Sequence, residues 1–200
     1  MSIRESIQQN LFLRKHLRKH QKDEINKAFL PLIKASSIGL LIDLRTPSNK
    51  QASIDFYNKI KRDGCKYKLL LYIPEARADI NLYDYEKLFQ GAQVFVICPE
   101  DHNFWGLPKK TVVFQFLSQP FDILFRLTLN PVFDIDIILL QTRARMIAGH
   151  NHPELSFLDF RIDIPQDSNL QSLTDNLLIY IEKLNQNSRQ PFNYQHNTLF

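Results

Sequence analysis

The stretch that decides the fold is SIGLLID, residues 37–43, an apolar run flanked by polar residues. Its length and its lack of polar alternation are typical of a strand that is buried on both faces, as in parallel sheets. TPSN, residues 46–49, follows and combines turn residues with helix N-cap residues. Apolar residues then recur at helical spacing over residues 54–60, before Gly64. We therefore predict one strand–helix unit of an α/β fold.

Further segments repeat the strand pattern along the chain. YKLLLYI (67–73) and AQVFVIC (92–98) are each ended by a proline. FDILFRLTL (121–129) predicts a fourth strand, and the alternating FLDFRIDI (157–164) predicts an edge strand. We expect an α/β fold with a single Rossmann-like or flavodoxin-like, doubly wound, mostly parallel sheet of about five strands, preceded by a basic N-terminal helix.

The segments between these strands favour helices. Residues 83–89 and 111–117 predict short helices. Residues 133–148 predict a longer helix that Gly149 closes at its C′ position. Ser168 is the expected N-cap of a last helix that runs to about residue 184.

Composition sets the domain organisation. The 200 residues, 44% of them hydrophobic, suffice for one core. We predict a basic helical arm over 1–34, an α/β domain over 35–185 and a flexible tail over 186–200. No apolar run approaches the roughly 20 residues of a membrane-spanning helix. Cys65 and Cys98 lie in no recognisable motif, and the opening residues lack a secretory apolar segment, so we expect a cytoplasmic protein with reduced thiols.

Charge is distributed unevenly along the chain. Residues 1–34 contain eight Lys and Arg against three Asp and Glu, whereas the remaining residues contain 17 against 18. Such an arm suits a polyanion, namely RNA or the ribosome, or an anionic membrane surface. A solvated helix face and self-association of the arm into a homo-oligomer are the alternatives. The candidate contact residues, several of them at four-residue spacing, are Arg14, Lys15, Arg18, Lys19 and Lys22.

A second candidate site lies where the predicted strands end. In open parallel sheets, ligands bind outside the carboxyl ends of the strands. The side chains expected to converge there on a small-molecule pocket are Asp43, Asn103, Trp105, Thr128 and Asn130. A helix cap at Asp43 and a buried plug at Trp105 are the alternatives. The five glycines form neither GxGxxG nor GxxxxGK[ST], so we predict no dinucleotide or P-loop cofactor.

The histidine pairs of the sequence do not form a complete set of metal ligands. His16 and His20 share a helical spacing, and residues 150–152 form an HxH pair, but neither has enough further ligands nearby. Asp134 and Asp136 stand at a predicted helix start, where carboxylates complement the helix dipole. We therefore predict no metal site.

Two blocks carry a resemblance to known proteins. With HNFWGLPKK (102–110) and PFDILFRLTLNPVFDIDIILLQTRARMIAG (120–149), the chain resembles an uncharacterised bacterial domain-of-unknown-function family of about this length with a basic N-terminal helix. The unit over 121–149 is more distantly similar to the N-terminal half of heptosyltransferase-type glycosyltransferases. That likeness implies a half-domain that binds a nucleotide or nucleotide sugar at the carboxyl ends of its strands.

These observations lead to one main functional prediction. We expect a non-enzymatic cytoplasmic α/β protein that docks on a polyanionic partner through its basic N-terminal helix. The alternative is the nucleotide or nucleotide-sugar site at the strand ends, and the sequence leaves enzymatic activity open because sites assembled from strand ends leave no contiguous motif.

Overall fold

The computed structural model describes residues 30–104, 107–155 and 158–187. Within them, six strands form one sheet: β1 Ser37–Asp43, β2 Lys66–Tyr72, β3 Ala92–Ile97, β4 Ile123–Leu127, β5 Met146–His150 and β6 Phe160–Ile162. The α-helices of this part of the chain are α1 Pro47–Ile60, α2 Leu82–Leu88, α3 Lys110–Phe116, α4 Phe133–Leu139 and α5 Leu170–Asn187. Short 3-10 turns lie at Leu32–Lys34, Arg77–Asp79, Pro99–Asp101 and Pro153–Leu155.

All strands of the sheet run parallel, in the order β3-β2-β1-β4-β5-β6. β1 is central: it pairs with β2 up to Asp43 opposite Tyr72, and with β4 from Ile38 opposite Ile123. The order reverses between β1 and β4, as in doubly wound Rossmann folds. The predicted α/β, Rossmann-like fold is confirmed, with six strands instead of about five.

Helices cover both faces of the sheet and bury an apolar layer on each. α1 and α5 lie on one face, where Phe56 of α1 meets Phe125 of β4 edge to face with ring centroids 5.2 Å apart. α3 and α4 lie on the other, where Phe116 of α3 packs against Phe121 with centroids 5.0 Å apart. Each fully buried large side chain contributes about 1.5–3 kcal/mol. The two layers hold the strand ends in fixed positions.

The first strand–helix unit forms as its sequence predicts. Thr46 caps α1, since its Oγ1 accepts a hydrogen bond from the Asn49 amide at 3.2 Å, and Pro47 occupies the first helical position. α1 ends at Ile60, and Gly64 adopts a positive φ of 77° in the turn to β2. The short helices predicted over 83–89 and 111–117 are present as α2 and α3.

The helix predicted over 133–148 is wrong in its second half. α4 ends at Leu139, and Met146–His150 forms β5, which accounts for the additional strand. Gly149 is therefore a strand residue beside Arg126 of β4 and not a helix C′ residue. A Cβ at this glycine would lie 3.0 Å from the Arg126 carbonyl oxygen, so the close pairing of β4 with β5 favours glycine here.

The last helix differs slightly from its prediction. The Oδ1 of Asn169 accepts a hydrogen bond from the Ser172 amide at 3.0 Å, so Asn169 and not Ser168 caps α5. α5 continues to Asn187. The short β6 lies at the edge of the sheet, as its alternating pattern predicted.

The predicted basic helix, with Arg14, Lys15, Arg18, Lys19 and Lys22, lies outside the described residues, as does the chain beyond residue 187. The described part begins just before the Leu32–Lys34 turn, where Leu32 is buried and the Ile33 amide donates to Asn185 Oδ1 of α5 at 3.2 Å. Among residues 30–104, 107–155 and 158–187, no helix combines the length and apolarity needed to span a membrane.

Candidate functional site

The predicted pocket residues lie at the carboxyl edge of the sheet. Asp43 ends β1 and Thr128 follows β4, so the two flank the position where the strand order reverses. Asn130 is exposed two residues further on, and Asn103 is exposed in the connection from β3 to α3. Trp105 lies outside the described residues. The edge is thus assembled as the topology predicts, and the orientation of each side chain decides what it can bind.

Asp43 is turned inward and occupied by its neighbour Arg45. Its side chain is 6% exposed, and its two carboxylate oxygens accept from Arg45 Nε at 2.9 and 3.0 Å and from Nη2 at 2.7 Å. The Arg45 amide also donates to it, at 3.1 Å. The hydrogen bond to Asp43 raises the pKa of Arg45, against the opposing effect of burial. Asp43 therefore closes the connection from β1 to α1, and only the half-exposed Arg45 faces solvent.

Thr128 and the loop after it are held from beneath by a buried ion pair. Arg126 is fully buried, and its Nε donates to Asp136 Oδ1 of α4 at 2.7 Å. Its other nitrogens donate to the carbonyls of Thr128 and Asn130, both at 3.0 Å. Asp136 Oδ2 accepts from the Val132 amide at 3.0 Å. This network fixes the connection from β4 to α4 and leaves the exposed Asn130 side chain at its surface.

A second buried contact joins the β3–α3 connection to α4. His102 Nε2 lies 2.7 Å from Asp134 Oδ1, and His102 Nδ1 lies 2.8 Å from the Pro99 carbonyl oxygen. A carbonyl only accepts, so Nδ1 carries a hydrogen. Burial lowers the pKa of His102, but the Pro99 carbonyl and Asp134 outweigh it and raise that pKa above its ordinary value. With both nitrogens occupied, His102 fixes this connection in place and is not a free base.

Tyr72 ends β2 directly opposite Asp43 and is the one aromatic side chain placed among these polar groups by the register. Its ring lies below the Arg45 guanidinium, with 6.0 Å from Cζ to the centroid. Burial and the nearby Asp134 raise the pKa of the Tyr72 hydroxyl. Within the described residues this hydroxyl forms no hydrogen bond.

The comparisons with known proteins bear on the family and not on this chemistry. A model of the family of unknown function DUF6913 matches residues 9–184. The chain belongs to the DUF6913 family. No curated protein and no solved structure matches it. The DUF6913 match confirms the expected uncharacterised family, whereas the glycosyltransferase likeness gains no support.

Cys98, at this edge of the DUF6913 protein, is poorly suited to act as a nucleophile. Its side chain is buried, and burial together with Asp101 raises the pKa of the thiol to about 11. Asp101 is itself paired with Arg77 and accepts from the Cys98 amide at 3.0 Å. A thiol in these surroundings stays protonated near neutral pH.

In the part of the DUF6913 chain that the structure describes, no group of three or more His, Cys, Asp or Glu side chains is placed to hold a metal ion. His150 of the HxH pair lies with Nδ1 3.1 Å from the Ile162 carbonyl oxygen of the neighbouring strand. Asp134 and Asp136 stand in the first turn of α4, as the sequence interpretation expected, and they also pair with His102 and Arg126.

The predicted pocket residues do not include four residues that organise this edge: Tyr72, His102, Arg126 and Asp136, of which Asp136 was interpreted only as a partner of the helix dipole. Arg126 could have been found as the only charged residue inside the apolar run ILFRL, because a charge in a buried strand requires a partner. The acidic residues of α4, eight and ten positions later, are natural candidates. His102 and Tyr72 carry no comparable local pattern, since their neighbours come from distant segments.

Proposed function

We propose that this DUF6913 protein is a non-enzymatic cytoplasmic protein that docks on a polyanion through the basic segment of residues 1–34, with RNA or the ribosome favoured over an anionic membrane surface. The observation that carries the proposal is the partition of charge: eight basic against three acidic residues in this segment, and 17 against 18 in the rest. Such a concentration of positive charge favours binding to phosphate-rich partners, because each neutralised phosphate releases counterions.

The site itself supports a docking role better than a catalytic one. At the carboxyl edge, Asp43, His102 and Asp136 are each occupied by a partner from the same chain. Groups that act in catalysis must reach a substrate atom, and these side chains reach only their neighbours. We therefore assign the proposed function to the basic segment of residues 1–34.

Charge reversal tests the docking proposal. In a variant with Arg14, Lys15, Arg18 and Lys19 changed to Glu, association is expected to fall roughly 100-fold or more, because phosphate attraction becomes repulsion. The measurement is co-sedimentation with ribosomes, total RNA and anionic vesicles across a salt series.

A matched control carries the same four changes at exposed or half-exposed lysines of the body, Lys50, Lys59, Lys87 and Lys183. It is expected to retain most of the association. Equal sedimentation of the wild type and of the N-terminal variant would refute the proposal, and equal loss in both variants would reduce it to a net-charge effect.

The carboxyl edge supports a second candidate function, the binding of a nucleotide or nucleotide sugar. The observation in its favour is the unbonded Tyr72 hydroxyl beside Arg45, at the place where the strand order reverses. Tyr72→Phe is expected to lower the affinity for such a ligand about 5-fold to 10-fold, because it removes one hydrogen bond, and to leave the fold intact. Calorimetric titration with nucleotides and nucleotide sugars checks this. Equal affinities in the two proteins, or no binding by the wild type, would speak against this site.

A further inference from the structure

The near-neutral body of the protein has strongly different charges at its two edges. The connections into β2 to β5, counted with Lys66 and Lys68 at the start of β2, contain six basic and two acidic residues. The connections from β1 to α1, from β2 to α2 and from β3 to α3, counted with Asp43, contain three basic and five acidic residues. The amino edge of the sheet is therefore the basic one.

A cleft of about 440 Å³ runs along this amino edge, across the starts of β3, β2, β1 and β4. The charged side chains among its described lining residues are Lys66 and Lys68, with Gln93, Ser118 and Gln119 as polar neighbours. Lys68 Nζ donates to Ser118 Oγ at 2.7 Å and to the Gln115 carbonyl at 3.1 Å, so it supplies charge but few free protons. Lys66 is exposed and available for contact.

A second cleft of about 230 Å³ lies on the other side of the loop 117–120 and contains Arg143 as its charged lining residue. Among the described residues that line the two clefts, three are basic and none is acidic. The volume of the larger cleft suits a unit the size of one nucleotide, not a duplex.

The carboxylate of Asp122 lies at the same edge and is held in hydrogen bonds and an ion pair with groups of this chain. It accepts from the Ser36 amide and hydroxyl, both at 2.8 Å, and lies 3.3 Å from Arg145 Nη1. Although burial opposes the shift, the hydrogen bonds from Ser36 and Ser37 lower the pKa of Asp122. The Arg145 side chain remains 65% exposed. Its guanidinium can therefore contact a second anion.

The basic N-terminal segment joins the body at the same edge. The Leu32–Lys34 turn ends three positions before Ser37, the first residue of β1, and contacts the end of α5 through Asn185. The described chain therefore begins, at residue 30, beside the amino ends of the strands.

We propose that the amino edge of the sheet binds the phosphodiester backbone of a single-stranded nucleic acid, in addition to the contacts proposed for the basic segment of residues 1–34. The inference rests on the proposed docking function and names its partner class. Lys66, Arg143 and Arg145 contact phosphates, and the amides of Gln93 and Gln119 face the sugars or bases. Membrane docking needs exposed apolar anchors next to the basic groups, whereas the large apolar lining residues Tyr67 and Phe121 are buried.

The test compares four full-length proteins by fluorescence anisotropy with a labelled single-stranded RNA of about 20 nucleotides. They are the wild type, Lys66→Glu with Arg143→Glu, the N-terminal four-Glu variant, and a control with Lys50→Glu and Lys87→Glu. The variant with Lys66→Glu and Arg143→Glu, the edge variant, is expected to bind the RNA about 10-fold more weakly than the wild type. The slope of log affinity against log salt concentration is expected to be smaller by about 1.4, which corresponds to two lost phosphate contacts. The control is expected to stay near the wild type.

Each outcome separates this inference from the docking proposal. Loss of binding only in the N-terminal variant overturns the inference and leaves docking intact. Wild-type binding to anionic vesicles but not to RNA also overturns the inference alone, whereas binding to neither overturns both. The neutral pair Lys66→Gln and Arg143→Gln, with circular dichroism on every variant, distinguishes lost contacts from a lost fold, and an intermediate affinity for this pair supports the inference.

Discussion

Arg126→Met is expected to lower the free energy of unfolding by about 3–5 kcal/mol, because it leaves the Asp136 carboxylate buried without its cation. The Asp136 side chain is only 4% exposed, and the Thr128 and Asn130 carbonyls lose their guanidinium donors at the same time. Against a total stability of about 5–15 kcal/mol, the change approaches the limit of folding. Urea denaturation followed by circular dichroism measures it.

A double variant identifies the cause of that loss. Arg126→Met combined with Asp136→Asn removes both charges, while the Asn oxygen can still accept from the Val132 amide. We expect the double variant to be more stable than Arg126→Met alone, since no unpaired charge remains buried. If the double variant is the less stable of the two, the penalty does not come from the isolated carboxylate.

Gly39→Val is expected to lower the free energy of unfolding by about 3 kcal/mol, because β1 has no room for a side chain at this position. A Cβ built on Gly39 would lie 2.5 Å from Leu124 Cδ1 and 3.0 Å from the Phe121 ring. Both neighbours are buried in the layer beneath α3 and α4. The denaturation midpoint in urea is expected to fall, with little change in the slope of the transition.

Leu124→Ala provides the partner for a double-mutant cycle. Alone, Leu124→Ala is expected to lower the free energy of unfolding by about 2–5 kcal/mol, because it opens a cavity. Together with Gly39→Val it should cost less than the sum of the two, because the valine occupies part of the space that Leu124 leaves. Strict additivity would show that the two side chains do not compete for the same volume.

Much of the fold could be predicted because long buried strands have an unmistakable pattern. SIGLLID and the three similar runs are predominantly apolar, and each is followed within a few residues by a turn residue or a proline. β5 was missed because it is only five residues long and follows α4 after a short connection, so that one apolar segment appeared to continue. What distinguishes it is the close approach of β4 at Gly149, which is a tertiary contact.

The candidate site was predictable in position but not in orientation. Parallel topology alone places the ends of β1 and β4 side by side, so Asp43 and Thr128 were expected at this edge. Whether such a side chain faces solvent depends on partners that the sequence does not specify, such as Arg45 for Asp43. The charge of the N-terminal segment was visible in the sequence, whereas the basic amino edge required the topology, because its residues come from separate connections.

The contrast between the basic amino edge and the acidic carboxyl edge also has a kinetic consequence. Charges of opposite sign at opposite ends of a body give the molecule a permanent electric dipole, which exerts a torque in the field of a distant polyanion. Such a protein turns its basic edge forward before contact, so that a larger share of encounters is productive and the association rate constant rises at low ionic strength. Added salt would then act first on the speed of capture and only secondarily on the lifetime of the complex.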